Sequence, residues 1–212
     1  LHTKITFINK ITKIYYKRIN ILNSYLHAYI HLDESLALSW AEGIDKLFKS
    51  GVDLGPLMGI PVAIKDICSV EGMPTTNGSQ IISDDITGPE GSLVKRLKSL
   101  GCVILGKTHT VEFALGATGL NKYKGTPWNP WDSKTHRMPG GSSSGSAVAV
   151  ASGLAAFAIG TDTGGSVRIP AALNGIIGLK TTKNRWPTDG IFPLSPTLDT
   201  PGPIARNVKD TY

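Results

Sequence analysis

Short apolar runs alternate along this chain with segments whose apolar residues recur at helical spacing. The apolar runs at residues 60–64, 102–105 and 156–160 predict buried strands. Helices are predicted at residues 92–100 and 144–152. Because strands that alternate with helices are typical of an α/β fold, we expect a mixed, largely parallel β-sheet core flanked by helices.

The first 55 residues have a different pattern. They predict mainly helix, with an extended piece at residues 26–32. Apolar residues keep helical spacing as far as Leu47, and Gly51 is a typical residue to end such a helix. We therefore divide the chain into a mainly helical segment, residues 1–55, and an α/β core, residues 56–212.

The 212 residues carry a formal net charge of +6, and basic residues are concentrated near the N-terminus, where no acidic residue precedes Asp33. The basic residues of that stretch are Lys4, Lys10, Lys13, Lys17 and Arg18. Such a run is able to contact nucleic acid or an anionic surface, but no Arg-rich or aromatic pattern follows it. We favour a solvated helix face and expect no nucleic-acid partner from this feature.

The two cysteines, Cys68 and Cys102, both lie in apolar parts of the sequence. So few cysteines argue against a disulfide framework and favour a reducing compartment, so we expect a cytoplasmic protein. The chain has neither an apolar run of about 18 residues for a membrane span nor the features of a signal peptide. It begins with Leu1 and stops at Tyr212 without a closing signal, and we expect a piece of a longer protein.

Two clusters of glycine and serine, at residues 140–146 and 164–166, flank a long apolar segment. A flexible linker has nothing to bury, whereas this apolar segment is able to fill a core. The clusters therefore place serine hydroxyls and backbone N–H groups on a rigid support. This combination is typical of an active site.

Residues 101–108, GCVILGKT, match the phosphate-binding pattern G-x-x-x-x-G-K-[ST]. In that motif the four middle residues turn and point their N–H groups at phosphates. Here these residues are Cys-Val-Ile-Leu, which favour a strand whose N–H groups are used in a sheet. A helix, rather than the required strand, is predicted before Gly101. We interpret the match as coincidence.

Residues 141–145, GSSSG, match the G-x-S-x-G pattern of a nucleophile elbow. In that fold a histidine base follows the serine along the chain. All 5 histidines of this chain precede Ser143. A longer parent protein is able to supply such a histidine. The nucleophile-elbow interpretation is therefore weakened but stays open.

Lys65 is a candidate base that needs no histidine. A serine is a weak nucleophile unless a base takes its proton, and lysine can be that base when burial lowers its pKa. Lys65 follows the apolar run 61–64, which argues for burial and against an ordinary surface lysine. The neighbouring Asp66 is able to hold Lys65 in its charged form, and this alternative stays open.

In several separate motifs the chain resembles the amidase signature family. Residues 140–180 resemble the signature itself, and residues 59–66, GIPVAIKD, resemble the strand that carries the catalytic lysine of the family. Further similar segments are residues 103–108, 112–116, 129–132, 195–199 and 202–203. The resemblance covers the chain from about Leu22 onward and implies the N-terminal half of the amidase fold, because family members are roughly twice this length.

The resemblance gives three residues a catalytic role. The nucleophile of the family falls on Ser166, its bridging serine, which follows a cis peptide bond, falls on Ser142, and its base falls on Lys65. In the implied mechanism Lys65 deprotonates Ser142, which deprotonates Ser166 as Ser166 attacks an amide carbonyl. Ser142 then returns the proton to the leaving nitrogen, and water cleaves the acyl-enzyme. The resemblance implies no metal and no cofactor.

Residues near Ser166 are expected to support this chemistry. Paired glycines allow the backbone to point successive N–H groups at one oxyanion, although such a pair also occurs in ordinary tight turns. The expected oxyanion-hole residues are Thr163, Gly164, Gly165 and Ser166. We expect Ser143 to be a hydrogen-bonding support, and Asp162 and Arg168 to form an ion pair that holds the loop.

The favoured function is a serine-dependent hydrolase of a small-molecule amide. One alternative is the A subunit of a glutamyl-tRNA amidotransferase, which has the same triad, releases ammonia from glutamine and acts beside a nucleic acid. That protein usually has glutamine where this chain has Ile169, and phenylalanine with a small residue where it has Leu173 and Asn174, which favours a stand-alone amidase. The other alternative is a non-catalytic fragment that lacks half of its pocket. The sequence leaves open whether the protein forms a homodimer.

Overall fold

The computed structural model describes residues 7–81 and 88–212. The strands of this part are β1 (Tyr29–Leu32), β2 (Pro61–Lys65), β3 (Val103–Thr108), β4 (Phe157–Asp162), β5 (Ile177–Gly178) and β6 (Thr200–Ala205). They form one sheet in the order β1-β3-β2-β4-β6-β5. The central strands β3, β2 and β4 are parallel, and β1, β6 and β5 pair antiparallel with their neighbours. The mixed sheet with a parallel centre is confirmed.

Helices flank this sheet, as the sequence predicts. They are α1 (Ile8–Leu26), α2 (Glu34–Lys49), α3 (Ser92–Ser99), α4 (Ser144–Ala151), α5 (Arg168–Leu173) and α6 (Val208–Thr211). The strands β3 and β4 run further than their apolar residues, because Lys107 pairs with Ile64 of β2 and Asp162 pairs with Thr200 of β6. Since the whole segment Val103–Thr108 is strand, the resemblance to a phosphate-binding loop is coincidental.

The N-terminal part contributes two helices and one edge strand. The predicted extended piece is β1, which pairs with β3, and Asp33 Oδ1 begins α2 by accepting from the N–H of Leu36 at 2.8 Å. Gly51 follows α2 with a φ of 89°, which favours glycine. The exposed basic residues of α1 are Lys10, Lys13, Lys17 and Arg18, whereas Lys4 lies outside the described residues. The boundary at residue 55 stays a prediction.

The sheet separates two apolar cores. Ala63 of β2 belongs to the core that contains residues of α1, α2 and α4, whereas Val62 and Ile64 belong to the core that contains residues of α3. Side chains alternate between the faces of a strand, so Lys65 points to the side of α4. The fold thereby carries a lysine into the interior next to the first glycine–serine cluster.

Helix α4 consists of small residues and is buried from Ser144 to Val150. A Cβ atom at Gly145 would lie 2.2 Å from the carbonyl oxygen of Ala28 and 2.4 Å from the nitrogen of His109. The helix therefore touches the backbone of its neighbours directly. This close packing fixes the position of the serines that precede the helix.

Two further properties of the described residues bear on the sequence predictions. Cys68 and Cys102 are buried free thiols. None of the helices in residues 7–81 and 88–212 has the length and apolar character that a membrane span requires.

Candidate active site

Lys65 is fully buried at the end of β2. Its Nζ lies 2.7 Å from Ser142 Oγ and 2.9 Å from Thr161 Oγ1. Burial is the largest influence and lowers the pKa of Lys65 to about 7, against smaller opposing effects that include the carboxylates of Asp162 and Asp199. Near neutral pH a substantial fraction of this amine is therefore uncharged and able to accept a proton.

Asp66 follows Lys65 in the chain, but its carboxylate lies on the other face of the sheet. Asp66 Oδ1 is 3.0 Å from Lys107 Nζ, and neither side chain is exposed to solvent. Asp66 Oδ2 accepts from the hydroxyl and N–H of Thr76, and Lys107 also donates to Thr75 Oγ1 at 2.8 Å. Asp66 therefore compensates the charge of Lys107, and the alternative in which it holds Lys65 charged is wrong.

Ser142 occupies the turn before α4 with its side chain buried against Lys65. The peptide bond between Gly141 and Ser142 is cis, as the family resemblance predicts. The carbonyl oxygen of Ser142 accepts from the N–H of Val111 at 3.2 Å. Both the side chain and the backbone of Ser142 are thus held in place.

Ser143 links the two glycine–serine clusters. Its N–H donates to the carbonyl oxygen of Ser166 at 3.2 Å. Its hydroxyl donates to the carbonyl oxygen of Thr161 and accepts from the Thr161 N–H, each at 3.3 Å. These bonds bring the Ser142 turn beside the loop of Ser166. The next serine, Ser144, is also buried, and its Oγ has no hydrogen-bond partner among the described residues.

Asp162 is the buried anchor of the loop that contains Ser166. Its carboxylate accepts from the N–H groups of Gly165 at 2.8 Å and Val167 at 3.1 Å. Arg168 donates Nη2 to Oδ1 at 2.9 Å and Nε to Oδ2 at 3.0 Å, so the two side chains form a bidentate ion pair. Burial acts to raise the pKa of Asp162, but the hydrogen bonds from Arg168 and Val167 outweigh it and lower the pKa.

The Ser166 side chain is half-buried and stands just before α5. Its hydroxyl, its N–H and the N–H of Gly164 form no hydrogen bond with the described residues and are available to a bound molecule. The N–H of Gly165 differs, because it donates to Asp162. In this structure the Gly165 N–H is thus used to hold the loop, and a contribution of Gly165 to an oxyanion hole stays a prediction.

Two residues of this region have no role in the sequence prediction. Thr161 accepts from Lys65 Nζ, and Asp199 accepts from the hydroxyl of Thr163. Asp199 lies in a segment that resembles the family, and Thr161 continues a predicted strand, but neither position indicates which residue it contacts. No group of three or more His, Cys, Asp or Glu side chains in the described part of the chain is placed to bind a metal ion.

The family model named Amidase matches residues 10–212. The chain belongs to the amidase family. It is 50% identical over 185 residues to a 2-amino-5-chloromuconic acid deaminase of Comamonas testosteroni, a match that covers 87% of this chain and 40% of that protein. It is 44% identical over 201 residues to the A subunit of glutamyl-tRNA(Gln) amidotransferase of Streptomyces avermitilis, with 95% of this chain and 40% of that protein covered.

Solved structures of amidase-family enzymes have the same fold. The native peptide amidase of Stenotrophomonas maltophilia matches with a TM-score of 0.89 and 40% identity, over 97% of this chain and 43% of that one. A 6-aminohexanoate cyclic dimer hydrolase matches with a TM-score of 0.85 and 28% identity, over 99% of this chain and 42% of that one. This amidase-family chain thus spans about 40% of the length of the curated relatives it matches.

Proposed function

We propose that this amidase-family protein hydrolyses carboxamides through an acyl-enzyme on Ser166, with Ser142 as the proton relay and Lys65 as the base. One observation carries the proposal: the buried Lys65 amine lies 2.7 Å from Ser142 Oγ. Burial lowers the pKa of this amine to about 7, and the adjacent carboxylate of Asp66 is turned toward Lys107. A base with a pKa close to the working pH is the most effective one.

The first half of the reaction forms the acyl-enzyme. Lys65 accepts the proton of the Ser142 hydroxyl while Ser142 takes the proton of Ser166, and Ser166 Oγ attacks the amide carbonyl carbon. The carbonyl electrons move to oxygen, and the N–H groups of Thr163, Gly164 and Ser166 are proposed to stabilise this oxyanion. Ser142 then donates a proton to the amide nitrogen and takes back the proton held by Lys65, and the C–N bond breaks with release of ammonia or an amine.

The second half returns the enzyme to its starting state. A water molecule gives its proton to Ser142, which passes its own proton to Lys65, and the resulting hydroxide attacks the acyl carbon. The ester bond to Ser166 breaks as Ser142 donates a proton to Ser166 Oγ and recovers the proton held by Lys65. Every proton in this cycle moves among three side chains and the reacting molecules. The ion pair of Asp162 and Arg168 takes no part in proton transfer and keeps the Ser166 loop in its conformation.

The names of the relatives support C–N bond cleavage, since they include a deaminase and a peptide amidase. A second candidate function is that of an amidotransferase A subunit that releases ammonia from glutamine. It is favoured by the 44% identity to such a protein. It is disfavoured by Ile169, Leu173 and Asn174, which differ from the residues usual in that protein. We therefore propose a stand-alone amidase.

The experiment uses the whole protein as produced by its source organism. It measures the release of ammonia or amine from a panel of aliphatic, aryl and ureido amides and from glutamine. We expect turnover by the wild type and none by Ser166→Ala or Lys65→Ala near neutral pH. Ser152→Ala is the matched control, because Ser152 is a nearly buried serine at the end of α4 whose hydroxyl has no partner in the described residues. Full activity of Ser166→Ala would refute the proposed mechanism.

The substrate panel separates the candidates. Turnover of simple amides by the protein alone supports a stand-alone amidase. Release of ammonia from glutamine alone, and only with added partner proteins, supports the amidotransferase. Equal inactivity of the wild type and Ser166→Ala toward the entire panel supports a chain that has kept the motifs without the activity.

A further inference from the structure

Asp199 lies outside the proposed triad, but its carboxylate is joined to the loop that carries Ser166. We infer that Asp199 is a positioning residue that fixes Thr163 and thereby sets the direction of the backbone N–H groups that stabilise the oxyanion. This inference rests on the proposed function and adds a residue to it. It assigns Asp199 no contact with the substrate and no proton transfer.

The carboxylate of Asp199 is held rigidly on the side away from the loop. The residue is 9% exposed, and its Oδ2 accepts from the N–H groups of Leu194 and Ser195, each at 2.9 Å. Lys183 Nζ donates to its main-chain carbonyl oxygen at 2.9 Å. The remaining oxygen, Oδ1, accepts from the hydroxyl of Thr163. Asp199 is therefore fixed by the turn in which it lies, and its hydrogen bond in turn fixes the side chain of Thr163.

The position of Thr163 explains why this bond matters. Asp162 holds the C-terminal side of the loop through the N–H groups of Gly165 and Val167. The N-terminal side consists of Thr163 and Gly164, and a Cβ atom at Gly164 would meet nothing within 4 Å. Packing thus does not restrain Gly164, and glycine has the widest range of backbone conformations. The hydrogen bond to Asp199 supplies the restraint that packing does not.

The charge of Asp199 gives a second, independent observable. The carboxylates of Asp199 and Asp162 are the negatively charged groups that oppose the lowering of the Lys65 pKa. Asp162 is paired with Arg168, and the Lys183 ammonium lies against the backbone of Asp199. Removal of the Asp199 charge alone should therefore lower the pKa of Lys65 further without moving the loop.

The probe for the test is a fluorophosphonate, which forms a bond from phosphorus to the oxygen of an activated serine as fluoride leaves. The labelling rate of Ser166 is measured by mass spectrometry on the protein as its host cell makes it. For Asp199→Ala we expect a maximal rate about 10–100-fold lower, because removal of an oxyanion donor costs about 100–1000-fold and a donor that is only misplaced should cost less. The concentration that gives half-maximal rate should stay unchanged, since the reagent pocket is not altered.

Four further variants separate a positioning role from general damage to the fold. Asp199→Asn should keep most of the maximal rate, because its carbonyl can accept from the turn while its amide donates to the Thr163 hydroxyl. In the pH profile of the labelling rate, the acidic limb of Asp199→Asn should lie at lower pH than that of the wild type. Thr163→Val should lose as much rate as Asp199→Ala, and the double variant no more than either, since the two residues form one link. Asp45→Ala is the matched control, because buried Asp45 likewise accepts two N–H groups, from Ile8 and Asn9.

The outcomes distinguish the inference from the function on which it rests. A slow Asp199→Ala with a normal Asp45→Ala supports the inference. Wild-type labelling together with an unchanged rate in Asp199→Ala or in Thr163→Val overturns it and leaves the proposed function intact. Absence of Ser166 labelling in the wild type overturns the proposed function and the inference with it. If Asp199→Ala does not fold, Thr163→Val and Asp199→Asn decide the question.

Discussion

Lys65 and Asp66 are adjacent in the chain, yet their charged groups lie on opposite faces of the sheet. Lys65 meets the hydroxyls of Ser142 and Thr161, whereas Asp66 forms a buried ion pair with Lys107. The alternation of side chains along a strand separates the two residues. A lysine thus enters the interior without a carboxylate directly beside it, and burial lowers its pKa to about 7.

Lys65 should make the stability of the protein depend on pH. Its pKa is about 7 in the folded protein and 10.5 in the reference state, so unfolding takes up a proton between these values. The free energy of unfolding therefore contains a contribution that rises as pH increases through this window and is constant below it. We expect Lys65→Met to be more stable than the wild type below pH about 7, with an advantage that shrinks toward pH about 10.

Urea denaturation of both proteins at several pH values from about 6 to about 10 measures this difference. Lys46→Met is the control, because Lys46 is an exposed lysine with an ordinary helical partner, Glu42. Its stability relative to the wild type should not vary with pH in the same range. An advantage of Lys65→Met that is independent of pH would mean that folding does not change the pKa of Lys65.

Thr161 should raise the pKa of Lys65, the proposed base. Its Oγ1 accepts from Lys65 Nζ at 2.9 Å, and an acceptor stabilises an ammonium more than a neutral amine. Thr161→Val should therefore shift the acidic limb of amide hydrolysis to lower pH. It should also lower the maximal rate about tenfold, because the amine is less well directed at Ser142. Thr161→Ser keeps the hydroxyl and should restore both values, and an unshifted limb in Thr161→Val would contradict the role.

The ion pair of Lys107 and Asp66 should be important for stability. Lys107→Met leaves a buried carboxylate without its partner, which costs about 3–5 kcal/mol of unfolding free energy. Urea denaturation measures the loss. The exposed pair of Lys46 and Glu42 is the matched control, since removal of Lys46 should cost at most about 0.5 kcal/mol. A loss as small as that of the control would show that Asp66 finds another partner or is protonated at little cost.

Two helical glycines should respond in opposite directions to substitution by alanine. A Cβ at Gly145 would lie 2.2 Å from a backbone oxygen, so Gly145→Ala should destabilise the fold by about 1–3 kcal/mol or more. Gly43 of α2 has nothing within 4 Å of that position. Gly43→Ala should therefore stabilise the protein by about 0.5–1 kcal/mol through helix propensity. Thermal unfolding of the two variants checks the contrast, and equal effects would contradict the close packing of α4.

The position of Lys65 could be predicted because it depends on local sequence alone. A short apolar run predicts a buried strand, and the residue that follows is carried inside with it. The elements of the core could be predicted for the same reason. Their ends could not, because polar residues such as Lys107 and Asp162 extend the strand pairing beyond the apolar runs. The roles of Ser142 and Ser166 came from the family resemblance and remain proposals.

The partner of Asp66 could not be predicted because it depends on register. In β2 and β3 Val62 pairs with Ile104, but the register then shifts so that Lys65 pairs with Thr108. Without that shift the regular count would place Lys107 opposite Lys65 on the same face. A single irregularity in the pairing thus separates two lysines. The contacts of Thr161 and Asp199 likewise join residues far apart in the chain, at distances that no local pattern encodes.

Helix α4 is enclosed from Ser144 to Val150, and its neighbours touch it through their backbones. An exposed helix tolerates many substitutions on its outer face, but this one has no outer face along those residues. The residues of α4 that support the Ser142 turn should therefore tolerate very few substitutions. Divergence toward new amides should accumulate in the surrounding loops, and libraries that aim to change substrate preference should leave α4 untouched.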